Sequence, residues 1–172
     1  MKETTLSTDD LLRDLAGGRI HRVPGTAIFL SRQADGVPTT LLHNLKHNKV
    51  VHQRVILLSV QMEESPHLGD EERFEYQDLG QGVSRLVLRL GFMEDPDLPE
   101  HLERLSQRIG FFDPMTTSYF LGRETLIATK RPGMALWREK LFASMVRNSS
   151  SAAQYFSLPA NQIIELGAQI EM

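Results

Sequence analysis

Three histidines and two asparagines recur at spacings of four or five residues in LLHNLKHNKVVHQRVILL, residues 41–58: His43, Asn44, His47, Asn48 and His52. Residues four apart share one face of an α-helix, so His43 and His47 could offer two imidazole ligands to a zinc ion. His52 could then supply a third ligand. The stretch therefore raises the hypothesis of a metal site, and a structural role at a helix end is the alternative.

The structural alternative depends on what surrounds the imidazoles. A zinc site of this kind needs a nearby carboxylate, and the sequence has no Asp or Glu between Gly36 and Gln61. At a helix C-terminus, Asn44, His47 and Asn48 could instead hydrogen-bond the last carbonyl groups and the following loop. Helix ends need such partners far more often than proteins bind zinc. We therefore predict a structural or interface role for this stretch and no metal ligand.

Two other groups of charged residues are candidates for recognition. Arg123 and Glu124 are adjacent on a predicted strand, where neighbouring side chains face opposite sides. One of them could face the interior with a specific partner, and a solvated edge strand is the alternative. Acidic residues also gather in MEDPDLPEH, but a helix N-terminus explains Asp95 and Asp97 more simply than a calcium loop does. We therefore add Arg123 and Glu124 to the histidine stretch as candidate interface or effector residues.

The composition narrows the class of protein. The 172 residues include no cysteine, which excludes disulfides, thiolate metal ligands and cysteine nucleophiles. The net charge of −3 predicts no attraction to nucleic acid or to an anionic membrane surface. No apolar run approaches the roughly 18–20 residues that a bilayer crossing needs. Nucleophile-elbow, P-loop and dinucleotide-binding motifs are also absent, so we expect neither an enzyme nor a cofactor.

Helical and strand periodicities alternate along the chain. Helices are predicted over residues 8–16 and 39–48, within 95–110, and over 133–149. Strands are predicted over residues 25–31, 52–63, 117–129 and 161–172, with a hairpin over 73–94. The strand, helix, strand unit over 26–62 should place its two strands parallel, whereas the hairpin adds an antiparallel pair. The prediction is an α/β fold, a single domain with a mixed β-sheet flanked by helices.

Local signals fix several element ends. Ser7, with Asp10 three residues later, predicts a capped helix start. Pro38 suits the first turn of the second helix, and Asp97 is placed to cap the third. Ile109 continues the apolar spacing of that third helix. Each of these signals depends on residues close in sequence and predicts where one helix begins or ends.

Several long segments resemble one known family in order along the chain. RVPGTAIFL, LLHNLKHNKVVHQRV and GFMEDPD are the most specific of them, and SYFLGRETLIA, GMALWREKLFASMVRN and IIELGAQIEM follow. The sequence from about residue 22 to its end is similar to the cytoplasmic C-terminal region of Kup potassium uptake transporters, the bacterial branch of the KUP/HAK/KT family.

The resemblance implies a parent protein larger than this chain. Kup transporters have about a dozen membrane helices that move potassium together with protons, followed by a cytosolic tail. By this resemblance, residues 1–21 would be a connector and residues 22–172 the cytosolic domain, at the cytoplasmic face of the bacterial cell membrane. Its expected partners are the membrane domain of its own transporter and, as a homodimer, a second copy. No residue of the ion pathway can be assigned to this chain.

The role of such a tail leaves two hypotheses open. In the first, it is a regulatory or assembly domain whose HNLKHNKVVH segment is a contact surface. In the second, it is a module that binds a small molecule or a metal ion in a cleft near residues 41–58, because open α/β sheets bind ligands at the carboxyl ends of their strands.

Overall fold

One mixed β-sheet organises the chain. A computed structural model describes residues 6–31, 34–110, 113–122, 128–129 and 151–166. Seven strands lie in these ranges: β1 His21–Ser31, β2 Val50–Glu63, β3 Phe74–Gly80, β4 Val83–Gly91, β5 Thr117–Gly122, β6 Ala128–Thr129 and β7 Ile163–Leu166. Their order is β3-β4-β2-β1-β5-β7, and β6 pairs with β2. The hairpin β3–β4 is antiparallel and the other pairs of described strands are parallel, which confirms the predicted mixed sheet.

Five described α-helices flank the sheet: α1 Thr8–Ala16, α2 Thr39–Asn48, α3 Asp70–Arg73, α4 Leu98–Ile109 and α5 Ser151–Tyr155. Short 3-10 turns cover Pro114–Thr116 and Ala160–Gln162. The Asp97 side chain accepts a hydrogen bond from the Glu100 amide nitrogen at 3.0 Å, which confirms the predicted cap of α4. In the described ranges, no helix has the length and apolarity that a bilayer crossing requires.

The two faces of the sheet bury separate apolar clusters. In β1, Phe29 packs in the cluster that contains Leu11 of α1 and Leu41 of α2. Its neighbour Ile28 belongs to the opposite cluster, which also contains Leu102 of α4. The central strands are thus buried on both faces, as expected for parallel strands covered by helices. This layering places the ends of α1 and α2 at the edge where β1 and β2 begin.

The first helix is part of the core although it lies in the segment predicted to be a connector. Leu11 and Leu15 are 1% and 7% exposed. The hydroxyl oxygen of Ser7 accepts a hydrogen bond from the Asp10 amide nitrogen at 3.1 Å, which confirms the predicted cap. The packed structure therefore begins before residue 21, and a connector role for residues 1–21 stays a proposal about the parent.

The predicted strand, helix, strand unit is confirmed, but both strands begin earlier than predicted. Strand β1 begins at His21 instead of Gly25, and β2 begins at Val50 instead of His52. The sequence prediction stopped at Gly25 because proline and glycine interrupt a strand pattern. The strand accommodates them through a register shift between Val23 and Thr26, with Gly25 at φ 103°.

One local expectation was wrong. Pro38 is the N-cap of α2 and not a residue of its first turn, because its ψ of 140° is not helical while its carbonyl oxygen accepts the Leu41 amide at 3.0 Å. Ile109 belongs to α4, as its spacing predicts, although its side chain is 41% exposed. It is the last residue of α4, and Gly110 follows in the left-handed conformation that ends the helix.

Some sequence predictions fall partly or wholly outside the described residues. The helix predicted over 133–149 lies outside them. The strand predicted over 117–129 is described at 117–122 and 128–129, and the strand predicted over 161–172 is described as β7.

Candidate functional site

The asparagines of the histidine stretch join the end of α2 to the start of β2. The Asn44 side chain is buried, and its amide nitrogen donates to the Val50 carbonyl oxygen at 3.0 Å. Asn48 in turn donates to the Asn44 side-chain oxygen at 2.8 Å. Lys49 has φ 57°, the left-handed conformation that commonly ends helices. The Asn44 bond to the segment after the helix agrees with the structural alternative, whereas the second bond joins the two asparagine side chains. Both side chains are engaged inside the domain.

The histidines do not converge on one point. His43 and His47 stack on α2 with ring centroids 5.9 Å apart, and His47 is exposed. His52 lies on β2 opposite Val23, with its ring against the edge of Phe120. Burial lowers the pKa of His52. Among the residues that the structure describes, no three His, Cys, Asp or Glu side chains are grouped so that they could hold a metal ion.

Arg22, which belongs to no catalytic or binding motif in the sequence, joins three segments where β1, β2 and β4 begin. Its guanidinium donates to the carbonyl oxygens of His52 at 3.2 Å and Gln53 at 3.1 Å, and also to that of Gln81 in the hairpin turn. Gly82 makes room for this contact, because a Cβ at residue 82 would lie 3.0 Å from Arg22 Nη1 and would overlap the Gln53 carbonyl oxygen. Strand periodicity carries no signal for this contact.

Exposed basic side chains surround these strand starts. They come from the turn after α1, the start of β1, the last turn of α2 and the turn into β2: Arg19, His21, Lys46, His47 and Lys49. We call these five residues the amino-edge surface. His21 and Val50 are register partners, which places the two turns side by side. Neither residues 15–34 nor residues 36–62 include an Asp or Glu, so the surface is locally basic although the whole chain has a net charge of −3.

A second group of contacts closes the opposite edge of the sheet, where β2 and β4 end. Arg73 is 5% exposed, and its guanidinium donates to a Glu94 carboxylate oxygen at 2.6 Å. The other Glu94 oxygen accepts from the Gly91 amide at 2.6 Å, and the Leu68 amide donates to the carboxylate at 3.4 Å. We call Arg73, Glu94 and these amides the carboxyl-edge clamp. It joins the loop after β2 to the loop after β4.

The electrostatics of the clamp favour an ionised Glu94. Burial opposes ionisation, but hydrogen bonds from Arg73, Gly91 and Leu68 and the positive charge of Arg73 outweigh it. The pKa of Glu94 is therefore lowered from its ordinary value of 4.5. Nearby, buried His101 donates from Nε2 to the Asp95 carbonyl oxygen at 2.9 Å. Of the acidic residues in MEDPDLPEH, Asp97 caps α4 as predicted, whereas Glu94 has a pairing role that its sequence neighbours do not indicate.

The remaining predicted site residues, Arg123 and Glu124, lie outside the described residues. The structure thus divides the predicted set. Asn44 and Asn48 are engaged in internal hydrogen bonds, His52 is half-buried, and His47 remains available at the surface beside Lys46 and Lys49.

The fold and these sites define a mixed α/β domain with a basic edge. Comparison with known proteins identifies its family. Residues 24–172 match the family model of the K+ potassium transporter C-terminal domain, and the chain belongs to that family, which confirms the resemblance seen in its sequence. No solved structure matches the chain.

The relatives are transport proteins by name. The chain is 57% identical over 151 residues to the probable potassium transport system protein Kup of Myxococcus xanthus, covering 88% of this chain and 23% of that protein. It is 54% identical to the Kup 2 protein of Rhizorhabdus wittichii with the same coverage. Identity to the Kup 1 protein of Novosphingobium aromaticivorans is 48% over the whole chain and 26% of the relative. The chain therefore spans about a quarter of the length of these relatives.

Proposed function

We propose that this chain is a regulatory or assembly domain of a proton-coupled potassium uptake transporter, held at the cytoplasmic face of the bacterial cell membrane. The observation that carries the proposal is the family match over residues 24–172, together with relatives named potassium transport system proteins that are about four times longer. The domain works without catalysis or a cofactor, and its partner is the membrane portion of the same transporter. We also propose a second copy of the domain as a partner, in a homodimer.

A domain without its own ion path affects transport through coupling. A contact that is made in one transport conformation and lost in another changes their relative populations. Such coupling free energies are typically about 1–3 kcal/mol. The amino-edge surface suits this role, because its side chains are exposed while Arg22, Asn44 and Asn48 fix the turns that carry them. The alternative, a ligand module near residues 41–58, has less support, since the asparagines there bond internally.

The contact role predicts a transport defect from surface substitutions. In the full-length parent we would exchange Lys46→Gln, His47→Ala and Lys49→Asn together. Asparagine suits the left-handed backbone of residue 49. Growth of cells that depend on this transporter at low potassium should slow, because loss of about 1–2 kcal/mol of coupling alters conformational populations several-fold. The measurement is growth rate against external potassium, with membrane abundance determined in parallel.

The matched control removes charge from the other face of the sheet. Arg104→Gln with Arg108→Gln lies on exposed positions of α4, where Arg104 pairs with Glu100 at 2.7 Å. Such exposed pairs contribute little to stability. Normal growth of the surface variant, or an equal defect in the control at equal abundance, would contradict a contact role for the amino-edge surface.

A further inference from the structure

We infer that the amino-edge surface binds the phosphate groups of anionic membrane lipids, so that the domain rests against the bilayer beside its own transporter. This inference depends on the proposed function for its membrane context and adds the chemistry of the partner. It also revises the expectation, drawn from the net charge of −3, that no anionic surface attracts the chain. Net charge averages over the whole surface, whereas attraction to a membrane depends on the face that meets it.

The charges of this face are concentrated by the topology. Arg19 follows α1, whereas Lys46 and Lys49 lie at the end of α2, and all three are exposed. The pairing of His21 with Val50 brings the two turns together, although they are about 30 residues apart in sequence. Asp14, in the last turn of α1, is the nearest acidic residue in sequence to this face. The hairpin turn that Arg22 contacts adds Asp78, and the turn before β5 adds Asp113. Arg19, Arg22, Lys46 and Lys49 still outnumber these three acidic residues, so the face carries more positive than negative charge.

The scaffold beneath the face is rigid. Arg22 bonds three carbonyl oxygens across β2 and the β3–β4 turn, and it adds its own charge at the same edge of the sheet. Asn44 fixes the turn that presents Lys49. The turns that carry the lysines thus keep their places without a partner, so binding loses little backbone freedom.

A lipid surface fits this arrangement better than a discrete anion does. The basic groups come from separate turns along one edge, and lysines at such places act as mobile point charges and not as a converging fork. Juxtamembrane basic residues gain from the negative potential of the cytoplasmic leaflet. A parent that transports ions holds this domain next to such a leaflet.

Vesicle binding by the 172-residue chain tests the inference. The chain should sediment with phosphatidylcholine vesicles that contain phosphatidylglycerol, and not with phosphatidylcholine alone. Lys46→Gln with Lys49→Asn should weaken this binding roughly 10- to 30-fold, and added salt should weaken binding by the unsubstituted chain.

Two control variants accompany this test. Arg104→Gln with Arg108→Gln removes the same charge from α4 and should leave binding within about twofold. Lys46→Arg with Lys49→Arg should bind like the unsubstituted chain, which separates charge from folding.

Three other results would contradict lipid binding by the amino-edge surface. Equal binding to both kinds of vesicle, or equal weakening by the α4 control, would remove the role of this face. Saturable binding of inorganic phosphate that competes with the vesicles at low concentration would assign the lysines to a small-anion site instead. The growth experiment is independent of these outcomes, because a defect there without lipid binding would leave the proposed function intact with a protein partner.

Discussion

Replacing Glu94 by alanine should lower the free energy of unfolding by about 3–5 kcal/mol. The substitution leaves the guanidinium of Arg73, which is 5% exposed, with the Leu68 carbonyl oxygen at 2.8 Å and the exposed Asp70 carboxylate at 3.7 Å as its remaining partners. Removing one partner of a buried ion pair is that costly. The Gly91 and Leu68 amides also lose their acceptor. Urea denaturation followed by circular dichroism measures the change.

An exposed ion pair provides the control for Glu94. Glu100 pairs with Arg104 at 2.7 Å, and its side chain is 53% exposed. Glu100→Ala should therefore cost less than about 1 kcal/mol. Losses of similar size from Glu94→Ala and Glu100→Ala would show that the carboxyl-edge clamp does not hold the domain together.

The carboxyl-edge clamp also determines whether the stability of the fold rises or falls as the pH is lowered. Because the pKa of Glu94 is lowered in the folded chain, its ionised form stabilises the fold at pH values above the ordinary value of 4.5. That contribution is lost as the pH falls from 4.5 through the lower folded-state pKa. Glu94→Gln should start less stable and show a shallower decline over this interval. An identical decline in both proteins would place the acid sensitivity elsewhere.

Adding one methyl group at Gly91 should cost about 3 kcal/mol or more. A Cβ at residue 91 would overlap the carbonyl oxygen of Pro66 and lie 2.7 Å from the amide nitrogen of His67. Backbone atoms cannot move aside as a flexible side chain can, so the loop after β2 must shift. The shift would also disturb the hydrogen bond from the Phe92 amide to the Ser65 carbonyl oxygen, now 3.1 Å long. Gly91→Ala should therefore lower the urea midpoint strongly.

Gly69, in the loop after β2, provides the control for Gly91. It shows how much any glycine-to-alanine change alters stability when no atoms are crowded. Gly69 has φ −69°, and a Cβ there would meet no atom within 4 Å. Gly69→Ala should change stability by less than about 1 kcal/mol. If Gly91→Ala were as mild as Gly69→Ala, the close packing of the two loops would be refuted.

Elements encoded by neighbouring residues could be predicted from the sequence. Ser7 with Asp10 and Asp97 with Glu100 are three apart, and both caps form as expected. The hairpin follows from the Gly80-Gln81-Gly82 turn, which separates a run of alternating aromatic and charged residues from an apolar run. These signals depend on local geometry, which the sequence order preserves.

The contacts that build the two sheet edges depend on distant residues. Arg22 reaches carbonyl groups 30 to 59 residues away, and Arg73 meets Glu94 from 21 residues away. Periodicity and capping rules cannot predict which strands bring such pairs together. The histidine stretch shows the same limit, because residues close in sequence are divided between α2 and β2.

The distribution of charge is the property for which the tertiary structure most changes what the sequence predicted. The net charge of −3 is a sum over the chain. The fold brings residues 19–22 beside residues 46–54, two segments without acidic side chains, and separates them from the acidic start of α3. A basic face on an acidic protein was therefore visible only once the strand register was known.

Potassium uptake by the full-length parent tests the central claim most directly. The initial rate of uptake would be measured against external potassium for the intact transporter and for one that lacks the region matching residues 22–172, at equal abundance in the membrane. A regulatory or assembly domain predicts a several-fold change in maximal rate or half-saturation when it is removed. Superimposable uptake curves from the two proteins would contradict the claim and leave the domain without an effect on transport.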